Sequence, residues 1–185
     1  PIDYVISPEL EIAKSLQRKL EAPGALDNVP FAENKLRLLE ILINEKCPIH
    51  EIKLKELTNK FPNLNAYILG VIRNESFEIL KKDDKLQHND KAYVIVNSNQ
   101  MEETLRVFGH NEKIANKILI IGGGNIGFNL ASNIEKNFEE ARVKIIEKDK
   151  NRAEFIANYL NDTIVINGNG LDEDVLNEAN LEEVE

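Results

Sequence analysis

Gly122, Gly124 and Gly127 stand on a G-x-G-x-x-G spacing where the apolar run Ile118-Leu119-Ile120-Ile121 stops. Gly123 fills the gap between the first two, and Asn125 and Ile126 open a helical pattern. Glycines at this spacing suit one chemistry, the holding of a diphosphate. The first permits a tight turn, the second lets the diphosphate approach the backbone, and the third lets a helix pack on a strand. The anion then sits where unpaired N–H groups and the positive end of the helix dipole converge. Glu147 follows 20 residues after Gly127. That is where a dinucleotide-binding fold places an acid to accept hydrogen bonds from ribose hydroxyls.

The negative charge of Glu147 repels a 2′-phosphate, so NAD is favoured over NADP unless Lys148 or Arg152 offsets it. Both cations also read as solvated surface charges. Asn169 sits just past a third strand, where such a fold meets the adenine end of its ligand. Asn is equally at home in a plain turn, because it tolerates the left-handed region. A lone glycine motif is weak, and a glycine-rich turn that binds nothing has the same spacing. Its surroundings therefore decide.

The surroundings alternate strand and helix. After the glycines, Ile126, Leu130, Ile134 and Phe138 repeat every four residues and predict one apolar helix face. Arg142-Val143-Lys144-Ile145-Ile146 predicts a second strand, Ala153, Ile156, Ala157 and Leu160 a helix, and Thr163-Ile164-Val165-Ile166 a third strand. Asp172 caps a last helix through Val175, Leu176 and Ala179. The order βαβαβα is one mononucleotide-binding half of a doubly wound parallel fold. The strand Ile118–Ile121 is left without a neighbour on one side. An edge of that kind invites pairing between chains, so self-association or a borrowed strand is expected.

Upstream the pattern differs. Tyr4-Val5-Ile6 predicts a short strand, and Ser7-Pro8 starts a helix carrying Leu10, Ala13, Leu16 and Leu20. Residues 28 to 109 predict a compact α+β unit. Its strands are Leu36–Ile43, Ala66–Arg73 and Ala92–Val96, with Asn74-Glu75-Ser76 turning the second into a hairpin with Phe77–Leu80. A short helix ends before Phe61-Pro62, and Asn99 caps a closing helix that buries Leu105 and Phe108.

The 185 residues carry a net charge of −9, which disfavours nucleic acid and anionic membrane as partners. No run approaches the roughly 18 apolar residues of a membrane span, so no direct membrane insertion is expected. Cys47 is the only cysteine, so neither an intrachain disulfide nor a cysteine zinc site is expected. His50, His88 and His110 are too scattered for a metal site. The chain opens Pro1-Ile2-Asp3 and its only methionine is Met101, as in a piece of a longer protein. No serine lies in a nucleophile elbow, and Cys47 has no activating base near it in sequence. The additional unit precedes the glycine turn rather than following it, an order that favours a sensor over a dehydrogenase.

Several stretches resemble the RCK-domain family. Ile118–Gly127, Val143-Lys144-Ile145-Ile146-Glu147-Lys148-Asp149, Arg152 and Gly168-Asn169-Gly170 with Asp172 are similar to an RCK nucleotide lobe. Val71-Ile72-Arg73 and Asn89-Asp90 before Tyr93-Val94-Ile95-Val96 resemble the smaller RCK C-terminal lobe. Asp3–Pro8 resembles the last strand and helix of a preceding nucleotide lobe. The resemblance divides the chain into residues 1–27, 28–112 and 113–185, the tandem layout of the cytosolic regulatory subunits of Trk-type potassium uptake. It implies a Rossmann-like half-domain preceded by an α+β lobe, with no enzymatic activity. It implies homo-oligomeric rings in the cytoplasm, at the inner face of the plasma membrane, under a membrane-embedded potassium transporter subunit. It implies NAD, NADH or adenine nucleotides such as ATP and ADP as ligands. Gly122, Gly124, Asn125 and Ile126 would face the diphosphate, with Glu147 on the adenosine ribose and Lys148 beside it. Asn169 replaces the family's usual Asp, and Asn89 replaces a turn glycine, which Asn can do at positive φ. Two alternatives remain open at this point: an NAD-dependent oxidoreductase whose catalytic part lies elsewhere, and an oligomerisation module with no ligand.

Overall fold

The computed structural model describes residues 6–180 and 184. Tyr4 and Val5 of the expected first strand lie outside the described residues. Contacts divide the chain into two compact units, one formed by Pro1–Gln17 with Ala115–Glu185, the other by Arg18–Ile114. The division falls inside the first helix, α1 (Pro8–Glu21).

The unit formed by Arg18–Ile114 holds one antiparallel sheet. Its strands are β1 (Asp27–Phe31), β2 (Leu36–Leu42), β3 (Ala66–Arg73), β4 (Ser76–Glu78) and β5 (Lys91–Asn97), in the order β1-β2-β5-β3-β4. Helix α2 (Leu54–Lys60) lies between β2 and β3 in sequence, and α3 (Met101–Val107) follows β5. Alternation drives the sheet. Leu39 pairs Val94 and Ile41 pairs Ala92, which puts these four side chains on one buried face. Ile43, Ile49, Val71, Leu86, Leu105 and Phe108 are among the residues that join them in that core. Each fully buried aliphatic side chain of this size contributes about 1.5–3 kcal/mol.

The unexpected element is β1. Its sequence Asp-Asn-Val-Pro-Phe carries no strand signal, and Pro30 argues against one. Among the described residues β1 pairs only with β2, as an edge strand, so a proline without an N–H costs little. Asn74 and Glu75 both take positive φ, 49° and 63°, between the paired residues Arg73 and Ser76. The hairpin expected from the sequence is present, but its loop has two residues rather than the expected three, because Ser76 pairs with Arg73 and opens β4. The expected cap of the closing helix is corrected. Helix α3 starts from Gln100 with no side-chain cap, and Asn97 instead caps the 3₁₀ turn (Ser98–Gln100) that leads into it, accepting from the Asn99 N–H. Asn89 does take positive φ, 67°. It presents Asp90, which is 1 % exposed and accepts from Arg73 Nε at 2.8 Å, Arg73 Nη2 at 2.7 Å and the Gln87 N–H at 2.8 Å.

The other unit contains the βαβαβα order: β6 (Lys117–Ile121), α4 (Asn125–Asn137), β7 (Arg142–Glu147), α5 (Lys150–Tyr159), β8 (Ile164–Asn167) and α6 (Glu173–Glu178). The three strands are parallel in the order β6-β7-β8, with β6 at the edge among the described residues. Val143, Ile145 and Ile146 are buried, as befits a strand covered on both faces. Helix α4 buries Gly127, Leu130, Ala131 and Ile134. The expected face is shifted by one residue at its start: Ile126 is exposed, and the small Gly127 takes the contact with the sheet. The fold is α/β, a parallel Rossmann-like half-domain preceded in sequence by a small α+β lobe.

Candidate functional site

The register sets the site. Ile121 of β6 pairs Ile146 of β7, so Glu147 ends one step beyond the last residue of β6. The Gly122 N–H donates to the Ile146 carbonyl at 2.8 Å, which carries the ladder one residue into the turn. Gly122 then takes φ 103°, a region that strains any residue with a Cβ.

The next glycine turns inward. Gly123 donates its N–H to Glu147 Oε2 at 2.6 Å, and its carbonyl accepts from Arg152 Nε at 2.8 Å. A Cβ on Gly123 would lie 2.2 Å from Ile156 Cδ1, and Ile156 is fully buried. Gly127 is bound by packing too, because its Cβ would sit 2.1 Å from the Gly122 carbonyl oxygen. Gly124 differs from all three. It is the N-cap of α4 with φ −61° and ψ −170°, conformations open to any residue, and a Cβ there would meet nothing within 4 Å.

Helix α4 has no side-chain cap. The first N–H groups of a helix have no partner within it, so Asn125, Ile126 and Gly127 present donors at the positive end of a 13-residue dipole. Beside them lies a hollow of about 550 Å³ between Ile121, Ile126 and Leu130 on one side and Glu9 and Leu16 of α1 on the other. The Glu9 carboxyl is held below the ordinary range by its own backbone N–H, by the Ser7 hydroxyl and, to a smaller extent, by Asn125.

Glu147 is 9 % exposed, and its second oxygen, Oε1, accepts from the Asp149 N–H at 2.8 Å. Each carboxylate oxygen has two acceptor positions, so one on each remains. Part of what Glu147 does is thus to shape the turn. Asn167, not singled out from the sequence, donates to the backbone carbonyls of Glu147 at 2.8 Å and Lys148 at 3.2 Å. Lys148 itself is exposed. Asn169 is exposed, and its Oδ1 accepts from the Leu171 N–H at 3.2 Å, the local bond of a turn residue. Gly170 packs on β6, its added Cβ 2.5 Å from Ile121 Cγ2, which brings the Gly168-Asn169-Gly170 turn beside the glycine turn. The bond of Arg152 to Gly123 spans 29 positions and has no local signal in the sequence. In the unit formed by Arg18–Ile114, a hollow of about 340 Å³ is lined by Leu54, Leu57, Phe61 and Phe108 and has no charged side chain.

A glycine turn closing a parallel strand, an uncapped helix and an acid at the end of the next strand define a Rossmann-like half-domain. Two family models match the chain, the TrkA-C domain over residues 38–109 and the TrkA-N domain over residues 118–185. The chain belongs to the TrkA family of RCK-domain proteins. It is 39% identical over 181 residues to a Trk system potassium uptake protein TrkA of Azorhizobium caulinodans, covering 98% of this chain and 40% of that protein. It is 33% identical over 184 residues to a Trk system potassium uptake protein trkA homolog 1 of Methanosarcina mazei, covering 100% of this chain and 44% of that protein. The chain thus spans about two fifths of the length of these curated relatives. The crystal structure of the GsuK RCK domain shares the fold at TM-score 0.55 and 17% identity, over 98% of this chain and 38% of that one. The GsuK channel bound to NAD does so at TM-score 0.54 and 17% identity, over 97% of this chain and 31% of that one. No helix among the described residues is long and apolar enough to cross a membrane.

Proposed function

We propose that the chain is part of a nucleotide-sensing regulatory subunit that gates a Trk-type potassium uptake transporter. The observation that carries this reading is the space at Gly124. Neither packing nor φ demands glycine there, while a ligand lying on the α4 N-terminus would. A diphosphate fits the donors of Gly124, Asn125 and Ile126, with Gly122, Gly123 and Gly127 shaping the turn. Glu147 offers its two remaining acceptor positions to the adenosine ribose, Lys148 stands beside it, and Asn169 lies toward the adenine. NAD or NADH is the ligand favoured by the charge of Glu147, with ATP and ADP as the other candidates.

The relatives' names support the potassium-uptake assignment over the oxidoreductase alternative. In this reading residues 1–27 close a preceding nucleotide lobe, 28–112 form the RCK C-terminal lobe and 113–185 begin a second nucleotide lobe. The subunit is non-enzymatic and works in the cytoplasm as a homo-oligomer against a membrane-embedded potassium transporter subunit. A ligand shifts such an assembly only by its difference in affinity for two states. Coupling of about 1–3 kcal/mol per site is typical.

Calorimetric titration of the full-length protein with NAD, NADH, ATP and ADP tests the reading. At least one should bind, and Glu147→Ala should weaken it by about tenfold or more, since it removes the ribose acceptor and leaves the Gly123 N–H unpaired. If the wild type binds none of the four, the nucleotide reading is wrong.

A further inference from the structure

We propose that Arg152 is a positioning residue for the glycine turn, acting by holding one carbonyl in place and not by lending charge to a ligand. The inference rests on the nucleotide reading above. The Gly123 carbonyl and the Gly124 N–H belong to one planar trans peptide and so point in opposite directions. Arg152 Nε, on α5, draws that carbonyl inward at 2.8 Å. The Gly124 N–H is thereby turned away from Arg152, at a residue where an added Cβ would meet nothing within 4 Å. From the other end, Glu147 Oε2 holds the Gly123 N–H at 2.6 Å. With both polar groups of Gly123 tied to side chains, neither adjoining peptide can flip without breaking a bond.

The guanidinium is itself held. Its central carbon lies 4.9 Å from the ring centroid of Phe155 on α5 and 5.5 Å from that of Phe128 on α4. Phe155 in turn stacks on Tyr159, with ring centroids 4.5 Å apart. Phe155 and Tyr159 are exposed, an unusual place for two neighbouring rings. Walling in a planar cation accounts for Phe155, whose ring lies beside the guanidinium together with that of Phe128. Lysine cannot copy the arrangement. Its ammonium is a point charge without the flat face that stacks on rings or the fixed Nε–H direction.

The experiment compares Arg152→Lys, Arg152→Gln and Phe155→Leu with the wild type in the full-length protein. Two readouts are taken: affinity for whichever of NAD, NADH, ATP and ADP the wild type binds, and hydrogen–deuterium exchange of the peptide spanning residues 122–126 without ligand. If the turn holds its donor-out conformation only about a tenth of the time, apparent affinity falls about tenfold. Lys and Gln variants should both show that loss, with exchange at the turn about tenfold faster and exchange in α5 and in the α+β lobe unchanged. Phe155→Leu should shift both readouts the same way by a smaller factor, about threefold. A Lys variant that binds as tightly as the wild type would show that charge, not position, is what Arg152 supplies, and would overturn the proposal. So would unchanged exchange at the turn in all three variants. A wild type that binds no nucleotide removes the nucleotide reading, and the exchange data then decide the Arg152 clamp separately.

Discussion

Two alanine substitutions three positions apart, Gly124→Ala and Gly127→Ala, should both weaken binding but differ in their effect on stability. At Gly124 the new methyl meets no protein atom within 4 Å, and φ −61° suits alanine. Alanine is a poorer N-cap than glycine by roughly 0.5–1 kcal/mol. It also restricts the unfolded chain, which stabilises by about 0.4–1 kcal/mol. The two effects offset, so stability should stay within about 0.5 kcal/mol of the wild type. Nucleotide affinity should nevertheless fall by about tenfold or more, about 1.4 kcal/mol, because the methyl occupies the space where phosphate oxygens approach. At Gly127 alanine gains about 1 kcal/mol of helix propensity. Against that, its methyl lies 2.1 Å from the Gly122 carbonyl oxygen and 3.1 Å from Ile120 Cγ2. A backbone oxygen cannot rotate away as a side-chain tip can, so the turn must move. Overpacking of this kind costs about 1–3 kcal/mol, and with backbone involved the upper part of that range applies. The net should be a loss of about 1–2 kcal/mol together with weakened binding. Thermal denaturation and calorimetric titration of the full-length variants separate the cases. Undiminished affinity of a folded Gly124→Ala protein would refute the placement of phosphate on that glycine, and a Gly127→Ala protein as stable as wild type would refute the packing argument.

The remaining predictions concern the scaffold. Asp90→Ala should destabilise the α+β unit by about 2–3 kcal/mol, since it removes a buried carboxylate that pairs Arg73 Nε and Nη2 and leaves the Gln87 N–H without its acceptor, while Arg73 keeps Glu78 and the Lys85 carbonyl at 3.2 Å each; chemical denaturation showing a loss below about 1 kcal/mol would mean the pair contributes no more than a surface ion pair. Glu135 caps the turn before β8, accepting from the N–H groups of Asp162 at 2.9 Å and Thr163 at 2.6 Å. Its burial works against the charge, but the donors of the Asn161-Asp162-Thr163 turn outweigh that and hold its pKa below the ordinary range. A depressed folded-state value contributes stability above the unfolded value of about 4.3, lost as pH falls through the folded value. The stability gap between wild type and Glu135→Gln should therefore be full at pH 7 and shrink below about pH 4; a gap that does not change between pH 7 and 3 contradicts this.

Much of the nucleotide lobe was legible because its signals are local. Strand and helix periods switch within a few residues, and Gly122 and Asn89 mark positive φ by their own chemistry. The hairpin at Asn74-Glu75 was readable for the same reason. The misses share a cause as well. Strand β1 exists because β2 offers it an edge, not because Asp-Asn-Val-Pro-Phe prefers extension. Asn99 does not cap α3 because it lies inside a 3₁₀ turn that precedes the helix, and that turn takes its own cap from Asn97 at the end of β5.

The sequence by itself determined the βαβαβα order of the parallel unit, the glycine turn and the presence of an acid at the end of β7, since each depends on neighbours a few residues apart. Only the tertiary structure decided what that acid and Arg152 do. Both reach Gly123 from more than twenty positions away. They meet it because the parallel register sets the ends of β6 and β7 side by side, and hydrogen bonds across such a distance follow from that alignment rather than from any local preference.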